Sequence, residues 1–134
     1  MKKNWKLNHI ATVVGDMDKA VEYYESLGIA TFESEFILDN CIKIRTVHIG
    51  PVTLEFVQPF AEELRFRFKE FLDSKGEGIH HIGFYVDDLD EEIAEMVDKG
   101  VPFAWGKRSQ AGRSVGLDTR KVGNLIIELT QQVE

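Results

Sequence analysis

The sequence predicts an α+β fold of two tandem βαβββ modules, which together form a concave, eight-stranded mixed sheet with a linking helix. Two observations carry this prediction. Residues 7–29 align with residues 79–101 over 23 positions at a constant offset of 72, without a gap. Residues 54–58 align with residues 127–131 at an offset of 73. A duplication of this extent indicates that one structural unit occurs twice in the chain.

The first module is predicted over about residues 5–59. Residues 7–14 are rich in β-branched side chains and predict a strand. Asp16 then has the position of an N-cap for an amphipathic helix, and Gly28 provides the C-terminal end of that helix. Apolar stretches separated by turn residues predict three further strands, over residues 31–37, 41–49 and 52–58.

A linking helix over about residues 60–76 precedes the second module, which is predicted over about residues 77–134. Four apolar residues recur there at helical spacing: Leu64, Phe68, Phe71 and Leu72. The second module repeats the plan, with a strand over residues 79–86, Asp88 as N-cap and Gly100 as helix end. Its last three strands are predicted over residues 101–105, 113–119 and 124–130. Because one such module is marginal alone, residues 1–134 are expected to form a single domain.

The composition narrows the classes of function. A net charge of −7 argues against a general nucleic-acid binder, which needs a basic surface for phosphates. Five basic residues late in the chain could meet an anionic small molecule, although solvated loop charge is the favoured interpretation: Lys107, Arg108, Arg113, Arg120 and Lys121. The single cysteine, Cys41, excludes an intrachain disulfide. Without a signal peptide or an apolar run of membrane-spanning length, a cytoplasmic protein with no membrane partner is expected.

His9 and His81 occupy equivalent positions in the two duplicated first strands. Side chains alternate along a strand, so each histidine shares its face with a small residue, Ala11 or Gly83. The opposite faces carry bulky residues that are expected to pack on the module's helix. The faces with the histidines are therefore predicted to be the open, concave ones.

Glu55 and Glu128 occupy equivalent positions in the last strand of each module, between apolar neighbours. Each carboxylate is therefore predicted to project onto the same concave side, where a lone ionised carboxylate is costly. A divalent cation held by His9, Glu55, His81 and Glu128 offsets that cost. Two imidazoles and two carboxylates suit Ni, Co, Zn, Mn or Fe(II). The alternative is that the histidines lie in the core and that the glutamates pair with arginines or face solvent.

A cation in this position predicts proton-transfer chemistry. It would stabilise the enolate that forms when a C–H beside a carbonyl loses its proton. We expect Glu128 to act as ligand and base and Glu55 as a ligand or second acid, although the sequence does not separate these roles. A binding protein without turnover is the competing class, with a pocket drawn from seven aromatic residues: Trp5, Phe32, Phe36, Phe84, Tyr85, Phe103 and Trp105.

The sequence resembles the vicinal oxygen chelate (glyoxalase, bleomycin resistance and dioxygenase) superfamily over nearly its whole length. Three stretches carry the resemblance: LNHIA at residues 7–11, GEGIHHIGF at residues 76–84 and LIIELTQ at residues 125–131. They look most like the methylmalonyl-CoA epimerases, followed by glyoxalase I.

The resemblance implies paired βαβββ modules around one divalent metal ion held by His9, Glu55, His81 and Glu128. The register of the repeat makes His81 the ligand rather than its neighbour His80. The complete quartet favours the isomerase and lyase branch, so an epimerase of a small anionic or thioester substrate is expected. Glyoxalase I (lactoylglutathione lyase) is the first alternative, and a non-catalytic small-molecule binding or resistance protein is the second. A homodimer is expected, and the modules could pair within one chain or across the dimer.

Overall fold

A computed structural model describes residues 3–106 and 113–131 of the chain. Within these residues, eight strands and three helices follow one another: β1 (Lys6–Val13), α1 (Met17–Ser26), β2 (Phe36–Leu38), β3 (Ile42–Ile49), β4 (Val52–Pro59), α2 (Phe68–Lys75), β5 (Gly78–Val86), α3 (Leu89–Asp98), β6 (Phe103–Trp105), β7 (Ser114–Asp118) and β8 (Ile126–Gln131). The order strand, helix and three strands occurs twice, with α2 between the copies. The predicted α+β class and module plan are confirmed.

The mixed sheet contains two sets of four strands with the same topology. The first set has the order β2-β3-β4-β1, and the second has the order β6-β7-β8-β5 when read from its outer strand. In each set the first and last strands of the module pair in parallel, β1 with β4 and β5 with β8, and the other pairs are antiparallel. The structural duplication therefore extends to strand order and strand direction.

The chain divides into two compact units, whose boundaries fall within β1 and β5. The first unit comprises residues 9–80, and the second comprises residues 3–8, 81–106 and 113–131. Among these described residues, no helix combines the length and apolar character that crossing a membrane requires.

The first unit has apolar clusters on both faces of its strands. Val14 and Phe56 lie in the cluster that contains Met17 and Val21 of α1. Val13 and Val57, their neighbours along the strands, lie in the cluster that contains Phe68 of α2. The alternation of side chains along β1 and β4 thus assigns one helix to each face. The prediction that the face opposite the histidine packs on α1 is confirmed.

The second unit has one main apolar cluster between its strands and α3, formed by Val86, Leu89, Ile93, Val115, Leu117 and Leu129. The segment before β1 lies against this cluster. The Trp5 ring contacts Phe84 at 5.8 Å between centroids, and the indole N–H donates to Glu92 Oε2 at 3.0 Å. Trp5 and Phe84, two of the predicted pocket aromatics, therefore pack against each other at the edge of a core.

The two module helices begin and end in the same way. Asp16 and Asp88 are N-caps, and each side chain accepts a hydrogen bond from a backbone N–H three residues later, at 3.1 Å in both cases. Gly28 and Gly100 follow the last helical residues with φ values of 72° and 75°, a left-handed conformation that favours glycine. The predicted caps and helix ends are confirmed.

A glutamine also joins each helix to the sheet. Gln58 Oε1 accepts from the Met17 N–H at 2.7 Å, and Gln131 Oε1 accepts from the Leu89 N–H at 2.9 Å. The first N–H groups of a helix have no partner within the helix, so each glutamine supplies an acceptor that the helix lacks. The sequence alignment pairs these two glutamines without indicating this role.

Two predicted elements are much shorter in the structure than the sequence indicated. The strand predicted over residues 31–37 is formed only at Phe36–Leu38. Before this strand, the Arg45 guanidinium donates to the backbone carbonyls of Phe32 and Glu33, and the chain there is irregular. The linking helix begins at Phe68 rather than near Leu64, which is 84% exposed.

Glu63 explains the late start of α2. Its carboxylate accepts from the N–H groups of Phe66 and Phe68 at 2.7 and 2.6 Å. Arg67, immediately before the helix, has a left-handed φ of 57°. The carboxylate thus satisfies backbone donors where the helix begins, and the chain before that point follows a turn instead of a helix.

Replacing Gln58 tests the link between α1 and the sheet. Gln58→Ala would leave the N–H of buried Met17 without its acceptor, so the free energy of unfolding is expected to fall by about 1–3 kcal/mol. Gln58→Glu keeps an acceptor at the same position and serves as the matched control. Urea denaturation measures both, and equal stability of wild type and Gln58→Ala would show that the hydrogen bond is not needed.

Candidate metal centre

His81 and Glu128 lie together in the second unit. They come from the parallel pair β5 and β8, in which Gly83 is opposite Glu128 and His81 is two residues earlier on the same face. Both side chains are buried, with residue exposures of 2% and 7%. His81 Nε2 and Glu128 Oε1 are 3.8 Å apart, which is longer than a hydrogen bond. The structure therefore brings one predicted histidine and one predicted glutamate together.

His9 and Glu55 have the equivalent places in the first unit. Ala11 is opposite Glu55 in the parallel pair β1 and β4, as Gly83 is opposite Glu128 in the second unit. His9 is buried, and Glu55 is half-buried. Both units thus place a histidine, a small residue and a glutamate in the same register on one face of a parallel strand pair.

Burial shifts the pKa values of His9 and Glu55. Removal from water lowers the pKa of His9 to about 4, so its imidazole is neutral at ordinary pH. Removal from water also raises the pKa of Glu55, which makes this carboxylate a stronger base than an exposed one. A neutral imidazole is the form that binds a metal ion.

His80 has a different environment from His81. It is buried with its ring 4.7 Å from that of Phe68 and 5.2 Å from that of Phe71, measured between centroids. Its Nε2 lies 3.1 Å from the Phe66 carbonyl oxygen. These contacts join β5 to the linking segment and α2, so His80 has a structural role within the first unit.

Trp105 and Gly116 form a contact beside the His81 and Glu128 pair that the sequence did not indicate. The rings of Trp105 and His81 have centroids 5.4 Å apart and planes inclined at 69°. Gly116 is opposite Glu128 in the β7 and β8 pair, and the indole lies over Gly116. Trp105 was predicted only as one of seven pocket aromatics, and no sequence pattern links it to His81.

The predicted basic group lies partly outside the described residues, because Lys107 and Arg108 are not among them. Arg120 makes a two-point ion pair with Asp118, with nitrogen to oxygen distances of 2.8 and 2.7 Å. The pairing lowers the pKa of Asp118, chiefly through these hydrogen bonds. Arg120 therefore pairs with an acidic residue in its own segment.

Comparison with known proteins identifies the family of the chain. Residues 8–116 match the model of the Glyoxalase/Bleomycin resistance protein/Dioxygenase superfamily. The chain belongs to this superfamily. The superfamily resemblance predicted from the duplicated stretches is confirmed.

Two relatives from sequence comparison illustrate the range of similarity. The uncharacterized protein YqjC of Bacillus subtilis (strain 168) is 25% identical over 130 residues, which cover 94% of this chain and 91% of that protein. The mitochondrial methylmalonyl-CoA epimerase of Homo sapiens is 26% identical over 98 residues, which cover 72% of this chain and 54% of the human protein. The chain therefore matches about half of the human epimerase.

Two solved structures share the fold. The hypothetical protein BH1468 from Bacillus halodurans C-125 has a TM-score of 0.82 at 25% identity, with 98% of this chain and 97% of that chain covered. A single-residue variant of the Streptomyces coelicolor methylmalonyl-CoA epimerase, in complex with 2-nitronate-propionyl-CoA, has a TM-score of 0.76 at 24% identity, with 96% of this chain and 98% of that chain covered.

The low pKa of His9 predicts a pH dependence of stability in protein stripped of metal with EDTA. Below pH 6.5 the unfolded chain protonates His9, whereas the folded chain does so only near pH 4. This histidine should therefore reduce the free energy of unfolding by about 3 kcal/mol as the pH falls from 6.5 to 4. His9→Gln should remove that part of the slope in denaturant titrations across the pH range.

His48→Gln is the control for this measurement, because it removes an exposed imidazole that is paired with Glu33 at 3.0 Å. The part of the slope that His9 contributes should remain in this variant. A His9→Gln variant with the wild-type slope would mean that His9 is not buried as a neutral imidazole.

Proposed function

We propose that this protein is a divalent-metal-dependent enzyme that moves a proton at the carbon next to a carbonyl, through an enolate, most like methylmalonyl-CoA epimerase. One observation carries the proposal. A buried histidine and a glutamate occur twice in the same register, which is the arrangement expected of two half-sites for one cation.

The proposed ligands are His9, Glu55, His81 and Glu128. Their chemistry fits a borderline first-row divalent ion, because it combines two imidazoles with two carboxylate oxygens. The 3.8 Å between His81 Nε2 and Glu128 Oε1 also fits, since a cation about 2.1 Å from each donor can lie between them. A cation would further offset the cost of keeping the Glu128 carboxylate buried beside Ile127 and Leu129.

The two glutamates do the proton transfer in this proposal. When bound, the cation supplies electrostatic stabilisation of the negative charge that develops on the substrate as the proton leaves. Glu128 is the proposed ligand and base, and Glu55 is the proposed ligand or second acid. The second glutamate or a bound water would return the proton, on the same or the opposite face of the substrate carbon.

The proposed substrate is an acyl-CoA thioester such as methylmalonyl-CoA. This choice is supported by the similarity to the human epimerase and by the fold shared with the Streptomyces enzyme in its complex with an acyl-CoA. A cytoplasmic location and a homodimer, with a mass near twice the 15.3 kDa of the chain by light scattering, stay predictions from the sequence.

Exchange of substrate hydrogen with solvent tests the proposed reaction. Wild-type protein loaded with Co²⁺ in D₂O should place deuterium at C2 of methylmalonyl-CoA, as followed by mass spectrometry. Glu128→Gln should slow this exchange by about 10²- to 10⁴-fold, because a positioned general base is lost. Glu55→Gln shows whether the second carboxylate is also required. Glu22→Gln, which alters an exposed carboxylate on α1, is the matched control and should exchange at the wild-type rate.

The other outcomes assign the alternatives. Deuterium that enters only the product of the hemithioacetal of methylglyoxal and glutathione would identify a glyoxalase I activity instead. A protein that binds metal but labels neither substrate would belong with the non-catalytic binding members of the superfamily. Exchange that is equally fast in wild type and Glu128→Gln would contradict the role of Glu128.

A further inference from the structure

A row of four residues crosses the strands of the second unit at the level of Glu128. Strand pairing places Trp105 opposite Gly116, Gly116 opposite Glu128, and Glu128 opposite Gly83. Directly paired residues in a sheet point to the same face. A bulky indole and a buried carboxylate therefore share one face, and Glu128 has a glycine opposite it on each neighbouring strand.

Gly116 is needed because the indole of Trp105 occupies the space that a side chain would take. A Cβ atom built on Gly116 would lie 2.6 Å from Cδ2 of the indole and 2.7 Å from both Cε2 and Cε3. These three atoms belong to the six-membered ring of the indole, so that ring lies over the backbone of β7. Trp105 is only 6% exposed. The indole is thus fixed by the strand beneath it.

The fixed indole contacts the imidazole of His81. Their centroids are 5.4 Å apart, and the 69° between the planes is the edge-to-face arrangement that aromatic pairs prefer. An imidazole restricted in this way keeps its Nε2 near Glu128 Oε1, where the structure places it at 3.8 Å. The contact also excludes water from one side of the pair.

The first unit differs at the position that corresponds to Gly116. Thr46 is opposite Glu55, in the place that Gly116 has opposite Glu128. Glu55 is half-buried, whereas Glu128 is buried. The two halves of the duplication therefore differ in the burial of the glutamate and in the residue opposite it.

The geometry points to Trp105 as a positioning residue for the metal-binding imidazole of His81, with Gly116 as the position that admits the indole. This inference rests on the proposed function, because it assigns His81 to a metal ion. Trp105 acts through His81 and does not itself bind the metal. Its role is to hold one half of the ligand set in a binding-ready orientation before the ion arrives.

Metal affinity measured by calorimetry on EDTA-stripped protein tests this role. Trp105→Ala removes the ring, and Gly116→Ala displaces it by adding a methyl group where the indole lies. Loss of a group that orients a ligand lowers metal affinity by about 10- to 100-fold, and we expect both variants to bind Co²⁺ more weakly by such a factor. Trp105→Phe keeps an aromatic ring beside His81 and should recover most of the affinity. Trp5→Phe, which alters the other tryptophan, is the matched control and should bind as wild type.

Fluorescence gives a second readout, which tests whether Trp105 lies beside the bound ion. The chain has two tryptophans, so Trp5→Phe leaves Trp105 as the only one and Trp105→Phe leaves Trp5. Paramagnetic Co²⁺ should strongly quench the emission of Trp5→Phe and have much less effect on that of Trp105→Phe. Equal quenching in the two variants would contradict a place for Trp105 beside the metal.

The outcomes separate this inference from the proposed function. If wild type binds Co²⁺ and the Gly116→Ala and Trp105→Phe variants fold, the Co²⁺ affinities of these variants decide the role of Trp105. This holds even when Trp105→Ala fails to fold. Wild-type affinity in Gly116→Ala and Trp105→Ala would overturn the inference and leave the metal centre intact. A wild-type protein that binds no divalent ion would overturn both.

Discussion

The main physical constraint on the candidate metal centre is the free-energy cost of burying ionisable side chains on the faces of β-strands. His9, His81 and Glu128 are buried, and Glu55 is half-buried. Each lies in a strand whose other residues are largely apolar. A protein core without a bound ion would favour hydrophobic residues at such positions, because a buried charge needs a compensating partner. In the proposed function, a shared cation would supply that compensation for all four groups at once. The duplicated fold gives the two sets of histidine and glutamate the same register on their strands.

Duplication provides this register twice, but the halves are not identical. Caps at Asp16 and Asp88 and acceptors at Gln58 and Gln131 join each helix to its strands in the same way. The difference lies one strand away from the glutamates, where the first unit has Thr46 and the second has Gly116 beneath an indole. The equivalent glutamates therefore have different surroundings, and Glu55 is half-buried whereas Glu128 is buried.

The sequence predicted the module plan, the helix caps and the equivalent strand positions of the histidines and glutamates, because these follow from short-range patterns and from the repeat. It did not predict the late start of α2, since Glu63 caps backbone groups through contacts that hydrophobic spacing does not reveal. Nor did it link Trp105 to His81, because that contact joins distant parts of the chain and depends on the absence of a side chain at Gly116. Contacts across several strands are set by tertiary packing, which local propensity does not encode.

Diffraction from crystals grown with Co²⁺, collected on both sides of the cobalt absorption edge, tests the central claim most directly. Anomalous scattering locates the ion without reference to activity or to stability. The account predicts one strong peak per chain, about 2.0–2.2 Å from donor atoms of His9, Glu55, His81 and Glu128. The absence of a peak at these side chains, or a separate ion at each histidine and glutamate pair, would contradict it.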